Sequence, residues 1–374
     1  MPQALSVRAR RLASSATDLS CALDLGLDQL TELLNELGEP AYRAHQVFRA
    51  LHQRWVGGWE ECTELPATLR GKLAERFRVA SGEHVVQARS IDGTRKRLVR
   101  LADGQEIETV AIPASSPEGT RRLSVCVSTQ AGCAMACTFC ATGDMGFSRQ
   151  LTVGEIVDQV YGFGRGDDPA RPTHVVFMGM GEPLANYDAT LGAVRLLSHP
   201  DGARLSQRRI TVSTSGLVPQ IRKLAVEGLE ITLAISLHAP HDALRSELMP
   251  INRRYPVDEL IAAGCEYAER TGRRVSYEYV LLRGINDAPT QAEGLAELLP
   301  RRLSHVNLIP YNPTGAGYQP TPPAQARAFR DRLKRAGLSA TIRASRGCDI
   351  AAACGQLKTE VADGSSEWRV ASSE

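Results

Sequence analysis

From Gly26 to about Phe77 apolar residues recur three and four positions apart, as in Leu30, Leu33, Leu34 and Leu37 and again in Val47, Phe48 and Leu51. That spacing lines one face of a helix, so the segment predicts a small helical unit. Gly38 and Gly57-Gly58 supply the breaks between its helices. Residues 97–101 and 106–112 alternate more and flank Ala102-Asp103-Gly104, a hairpin whose glycine can take positive φ. Beyond residue 120 short β-branched runs alternate with helix-length amphipathic segments. The runs are residues 123–127, 174–178, 209–212, 231–236, 275–282 and 306–309. One intervening helix opens with Thr152 and Glu155 in capping-box spacing.

Six strand-helix units predict an α/β fold with parallel strands and right-handed crossovers. Six fall short of the eight that close a full barrel, so a partial (βα)6 barrel or an open doubly wound sheet is expected. The expected division is a flexible tail at 1–24, a helical accessory domain at 25–90 and a connecting β-hairpin at 91–120. The strand-helix domain follows at 121–357, with a tail at 358–374. In either architecture ligands sit at the carboxyl ends of the strands, which makes the residues after each run the ones to read.

Composition narrows the class. The 374 residues carry 44 Lys and Arg against 42 Asp and Glu, a net charge of +2, with 43% hydrophobic residues. These values fit an ordinary globular protein and set aside collagen-like, coiled-coil and disordered chains. No apolar run approaches the roughly 20 residues of a membrane helix. The first twenty residues lack the apolar block of a secretory signal, so a tail is read there rather than a leader. Nine cysteines, an odd number with three packed between 133 and 140, do not form a secreted disulfide framework and point to a reducing, cytoplasmic setting.

After the first run stands Cys133-Ala-Met-Ala-Cys137-Thr-Phe-Cys140. Three thiolates so close can wrap one metal centre. An iron-sulfur cube takes four thiolates, so three leave one iron open for another ligand. A structural zinc completed by Cys126, or three core cysteines, are the other readings of the same spacing. After the second run comes Met178-Gly179-Met180-Gly181-Glu182-Pro183, where glycines let backbone approach a ligand and Glu182 can accept from a cationic group. Ser213-Thr214-Ser215-Gly216, Ser236-Leu237-His238 and Pro310-Tyr311-Asn312-Pro313 end later runs. Each is bland alone; together they describe a ligand cup on one face of the sheet.

The Cys-x3-Cys-x2-Cys motif followed by Gly-Glu-Pro resembles the radical S-adenosylmethionine (SAM) superfamily. Longer strings, Gln130-Ala-Gly-Cys133 through Thr142-Gly143, Arg149-Gln150-Leu151-Thr152, Val176 through Pro183, and Arg346-Gly-Cys-Asp-Ile-Ala-Ala-Ala-Cys354-Gly-Gln-Leu357, resemble the RlmN/Cfr family of RNA adenosine methyltransferases. Gly38-Glu39 and Tyr42-Arg43-Ala44-His45-Gln46 resemble its N-terminal domain, so the likeness runs from about Leu27 to Leu357. The resemblance implies a partial radical SAM barrel holding one [4Fe-4S] cluster on Cys133, Cys137 and Cys140. It also implies SAM contacts at Gly181, Glu182, Ser213, Ser236, Leu237, His238 and Asn312. In this chemistry the cluster, when reduced, cleaves SAM to a 5′-deoxyadenosyl radical.

The resemblance further makes Cys354 the carrier of a methyl group taken from a first SAM, so that two SAM are used per methylation. Cys126 becomes the thiol that resolves a covalent RNA-protein adduct through a transient disulfide with Cys354, and Glu108 the acceptor of the substrate carbon's proton. Read alone, Cys126 is a buried strand cysteine and Glu108 a solvated carboxylate. The implied reaction is methylation of adenosine C2 in 23S rRNA and tRNA, fed by a flavodoxin-type reductant. C8 methylation, as in the resistance branch, is the alternative within the family, and a zinc-stabilised RNA-binding protein without catalysis is the alternative outside it. Two departures stand out: Cys348 adds a thiol to the C-terminal motif, and Gln150 stands where many relatives carry Asn. RNA would be gripped by the basic runs at 326–346 or 89–100, with the target base turned out into the cup. A monomer is the simplest expectation.

Overall fold

The computed structural model describes residues 19–115, 119, 121–165 and 168–359. In chain order its strands are β1 (Ser20–Cys21), β2 (Phe77–Arg78), β3 (Gly82–Arg89), β4 (Arg95–Leu101), β5 (Glu106–Ser115), β6 (Arg121–Cys126) and β7 (Gln130–Gly132). They continue with β8 (Phe147–Gln150), β9 (His174–Phe177), β10 (Ile210–Thr214), β11 (Thr232–Ser236), β12 (Val275–Leu281), β13 (Ser304–Pro310) and β14 (Ala340–Ile342). The helices used below are α1 (Leu27–Glu36), α2 (Tyr42–Arg49), α3 (Ala67–Ala74), α4 (Val153–Gly162), α5 (Tyr187–Ser198), α6 (Val218–Leu224), α7 (Asp242–Leu248), α8 (Val257–Thr271), α9 (Pro289–Leu298) and α10 (Pro323–Arg335).

Ten strands form one sheet in the order β14-β13-β12-β11-β10-β9-β6-β5-β4-β3. Neighbours from β6 through β9 to β14 are parallel, whereas β3, β4, β5 and β6 pair antiparallel. The order is linear, so the α/β units make an open, partial barrel. All six strand runs expected from the sequence are present, and β14 adds a seventh parallel strand. It is three residues long, too short to leave a periodic signal. Helix α4 carries the expected capping box: the Thr152 hydroxyl accepts from the Glu155 amide at 3.2 Å, and the Glu155 carboxylate accepts from the Thr152 amide at 2.9 Å.

Three segments differ from the sequence reading. Residues 82–89, read with the helical unit, form β3 and pair with β4. The hairpin at 95–115 is therefore no free connector but part of the main sheet. Within the span expected as an N-terminal tail, Cys21, Ala22 and Leu23 are buried in the core, because Asp24 Oδ1 accepts from the Gly154 amide at 2.6 Å and seats this segment on the start of α4. Residues 1–18 and 360–374 of the expected tails lie outside the described residues. Helices α1 to α3 share one apolar core with α4 and the sheet. The Trp55 ring stacks on Tyr161 at 5.0 Å, an offset aromatic contact that joins the two.

Candidate functional site

The cysteine loop hangs between β7 and β8, which pair antiparallel. Gly132 turns the chain at φ +77°, and a Cβ there would collide with the Gly146 carbonyl oxygen that accepts from the Cys133 amide at 2.7 Å. Within the loop the Cys140 amide bonds to the Cys137 carbonyl and the Gly143 amide to the Cys140 carbonyl, so the coil folds back on itself. Cys133, Cys137 and Cys140 all line one cavity of about 910 Å³, its open mouth included. Burial pushes the Cys133 thiol up to about 11 and raises the other two as well, and each of Cys133 and Cys140 adds to the rise at Cys137.

The rest of the cavity lining is built largely from strand ends, as the sequence cup requires. Gly181 holds φ +96° against the Gln130 side chain. Both oxygens of buried Glu182 are already spoken for, Oε1 by the Leu184 amide at 2.9 Å and Oε2 by the Ser215 amide at 2.6 Å. Burial raises its carboxyl above the usual range, and these two amides pull it back. Ser213, Ser236, His238 and Asn312 line the same cavity. Leu237 does not: its side chain packs in the core, while its carbonyl accepts from Arg245 Nε at 3.1 Å.

His238 stands at φ +59°, uncommon for a residue with a side chain. The Val280 amide donates to its Nδ1 at 3.0 Å and Asn286 donates to its carbonyl at 2.9 Å, which holds the turn in place. Burial drops its pKa to about 3, so the ring is neutral. Arg245 is wholly buried and donates to the carbonyls of Ser215 and Ser236 and to Asn252, fastening three loops at the cavity edge. Sequence reasoning missed both Arg245 and Asn286, since nothing in their local sequence marks them.

The C-terminal segment closes the site. Its backbone meets the cysteine loop through the Ala141 amide on the Gly355 carbonyl at 2.8 Å and the Thr142 hydroxyl on the Leu357 carbonyl at 2.6 Å. Cys354 faces the cavity, and Asn312 Nδ2 donates to its carbonyl at 3.2 Å. Cys126 is buried at the end of β6; burial pushes its thiol up to about 12, with the neighbouring Cys354 sulfur adding to the shift. Arg343 is held above its usual range first by the Cys354 sulfur, then by Glu278 and Cys126, against the lowering that burial brings. Cys348 is exposed and reaches Asn312 Oδ1 at 3.6 Å. Cys354 and Asn312 also line a second cavity of about 760 Å³, whose far wall carries Arg343, Ser345 and Arg346.

Two expectations are corrected. Glu108, read from sequence alone as a solvated strand carboxylate, is fully buried: Lys96 Nζ lies 2.9 Å from Oε1, and the Lys358 amide donates to Oε2 at 3.0 Å. In the basic run at 89–100, Arg95, Lys96 and Arg97 are buried. Arg95 pairs with Asp168 at 3.1 Å, and Arg97 lies 4.3 Å over the Phe163 ring. An alternating strand covered on both faces hides these cations from any polyanion, and only Arg89 and Arg100 of that run stay exposed.

Residues 22–79 match the ribosomal RNA large subunit methyltransferase N-terminal domain, and residues 127–293 match the Radical SAM superfamily. The dual-specificity RNA methyltransferase RlmN of Anaeromyxobacter dehalogenans (strain 2CP-C) is 47% identical over 352 residues, 92% of this chain and 93% of that protein. The probable dual-specificity RNA methyltransferase RlmN of Moorella thermoacetica is 49% identical, covering 88% of this chain and 94% of its own length. A crystal structure of a radical SAM methyltransferase from Sphaerobacter thermophilus superposes with a TM-score of 0.86 at 48% identity, covering 91% of this chain and all of that one. Radical SAM membership implies a [4Fe-4S] cluster and SAM. The residues fit them: three thiols face one cavity, and strand-end hydroxyls, backbone and Glu182 line the same cavity. The chain belongs to the RlmN family of radical SAM RNA methyltransferases.

Proposed function

We propose that the chain methylates carbon 2 of an adenosine in 23S rRNA and in tRNA, with the methyl group carried on Cys354. The observation that carries this reading is the position of Cys354 in the wall between two cavities, one lined by the three cysteines and strand ends, the other by Arg343 and Arg346. A thiol there can take a methyl from a sulfonium on one side and present it to a nucleotide on the other. The bound cluster and SAM supply the radical that makes an unreactive methyl group and ring carbon combine. Gly181, Glu182, Ser213, Ser236, His238 and Asn312 would hold SAM against Cys133, Cys137 and Cys140. The Leu237 side chain takes no part.

In the last steps Glu108 would accept the ring-carbon proton, leaving the C–H electron pair in the ring, and the adduct's one unpaired electron would leave to a one-electron acceptor, chemistry that a cluster held by Cys133, Cys137 and Cys140 would supply. The Cys126 sulfur then attacks the Cys354 sulfur; the sulfur–carbon bond breaks with its pair on carbon, which takes up a proton as the finished methyl. The two thiols end as a disulfide that a reductant must reopen, and a flavodoxin-type donor serves the cluster. One SAM loads Cys354 and a second yields the radical. Free thiols suit a reducing cytoplasm; among the described residues no helix is long and apolar enough to cross a membrane. The test is methyl transfer by anaerobically reconstituted enzyme to unmodified rRNA and tRNA, with product nucleosides resolved. C2-methyladenosine is expected, and C8-methyladenosine would assign the chain to the other chemistry of the site.

A further inference from the structure

Lys96, Glu108 and Cys126 share one face of the sheet. Lys96 lies opposite Val110 across β4 and β5, Val110 lies opposite Cys126 across β5 and β6, and Glu108 is two residues from Val110. Directly paired residues, and those two apart on a strand, point to the same side. The segment bearing Cys354 crosses this face. Lys96 Nζ touches Glu108 Oε1 at 2.9 Å and donates to the Ala351 carbonyl at 3.3 Å, while the Lys358 amide donates to Glu108 Oε2 at 3.0 Å. The two side chains are 4% and 0% exposed. The loop is thus tied to one buried ion pair on both sides of Cys354.

We propose that Lys96 is a positioning residue that couples the loop carrying Cys354 to the carboxylate of Glu108. The proposal rests on the reading of Glu108 as proton acceptor and Cys354 as methyl carrier. In the state described, the loop seats Cys354 beside Cys126 and covers Glu108 with the Lys358 amide. The amide belongs to the loop and the ammonium to β4 of the sheet, so Lys96 stays with Glu108 wherever the loop lies. An ammonium at this distance favours the charged form of a buried carboxylate, the form that can accept a proton, so Lys96 helps to preserve the base. Methyl loading of Cys354 by SAM does not use Glu108 and does not require Lys96.

The test uses full-length, anaerobically reconstituted enzyme with Lys96→Met, which keeps the length and removes the charge, and Lys96→Arg, which keeps the charge. Methyl loading is read as the mass of the Cys354 peptide after incubation with SAM, and the adduct as an RNA-protein band on a denaturing gel with an unmodified tRNA transcript. Lys96→Met is expected to load methyl within about twofold of wild type, to lose turnover about 100-fold, the low end of what a general base supplies, and to accumulate the adduct. Lys96→Arg is expected to retain turnover within about tenfold. Wild-type turnover by Lys96→Met, or equal loss of loading and turnover in both variants, overturns the coupling. If instead wild type takes up no methyl on Cys354, or Glu108→Gln turns over normally, the catalytic reading itself fails, whatever Lys96→Met does.

Discussion

Cys354 and Cys126 are chemically alike and environmentally distinct. Cys354 stands half-buried between two cavities, whereas Cys126 lies at a strand end under the same segment. On the proposed path, replacing Cys126 removes the attack that frees RNA but not the steps before it. Cys126→Ala is therefore expected to leave a stable RNA-protein species on denaturing gels and to produce little free methylated RNA; full turnover would contradict the disulfide step. The cysteines and strand-end clusters were legible in the sequence because each is a local motif. The state of Glu108 was not legible, because its partners are Lys96 twelve residues before it and the amide of Lys358 at the far end of the chain. Arg95-Lys96-Arg97 reads as an exposed run for the same reason: tertiary packing decides which charges are covered. Arg245 was hidden likewise, its role fixed by carbonyls of Ser215, Ser236 and Leu237 that two separate loops bring to it.

The β7–β8 hairpin is the element that makes the cysteine loop a ligand set. Its turn depends on Gly132, where a side chain meets the Gly146 carbonyl and the backbone sits at positive φ. Gly132→Ala is expected to lose most of the iron bound after reconstitution while keeping the far-UV circular dichroism of wild type; full iron content would show that the loop tolerates the shift. A second joint lies between the N-terminal helices and α4, where His52 contacts the Tyr161 hydroxyl at 3.1 Å and the Leu25 carbonyl at 3.2 Å. Burial drops its pKa from 6.5 to about 4. Above pH 6.5 the ring is neutral in folded and unfolded chains alike. Below that only the unfolded chain gains the proton, so stability falls as pH falls, by about 3 kcal/mol on reaching pH 4. Urea unfolding across this range should show the decline, and a His52→Phe variant should show a shallower one. Helices and strands of this size were readable from periodicity, while β14 and the inclusion of β3 to β5 in the main sheet were set by pairing partners distant in sequence.

Of the two basic runs, the one on α10 and the segment leading to Cys354 keeps most of its cations at the surface. Arg327, Lys334, Arg335 and Arg346 are exposed there, while the other run is largely buried. If RNA lies along this face, charge-neutral substitution of Arg327, Lys334 and Arg335 should reduce the dependence of RNA affinity on salt by about one unit of log–log slope for each phosphate no longer neutralised. An unchanged slope would place the RNA elsewhere. The central claim is that the methyl group passes through Cys354 on its way from one cavity to the other. Its most direct test loads Cys354 with isotopically labelled methyl, removes SAM, and then supplies unmodified RNA with unlabelled SAM for a single turnover. The account predicts the label on the adenine carbon and an empty Cys354; unlabelled methyl on the RNA with the label still on Cys354 would contradict it.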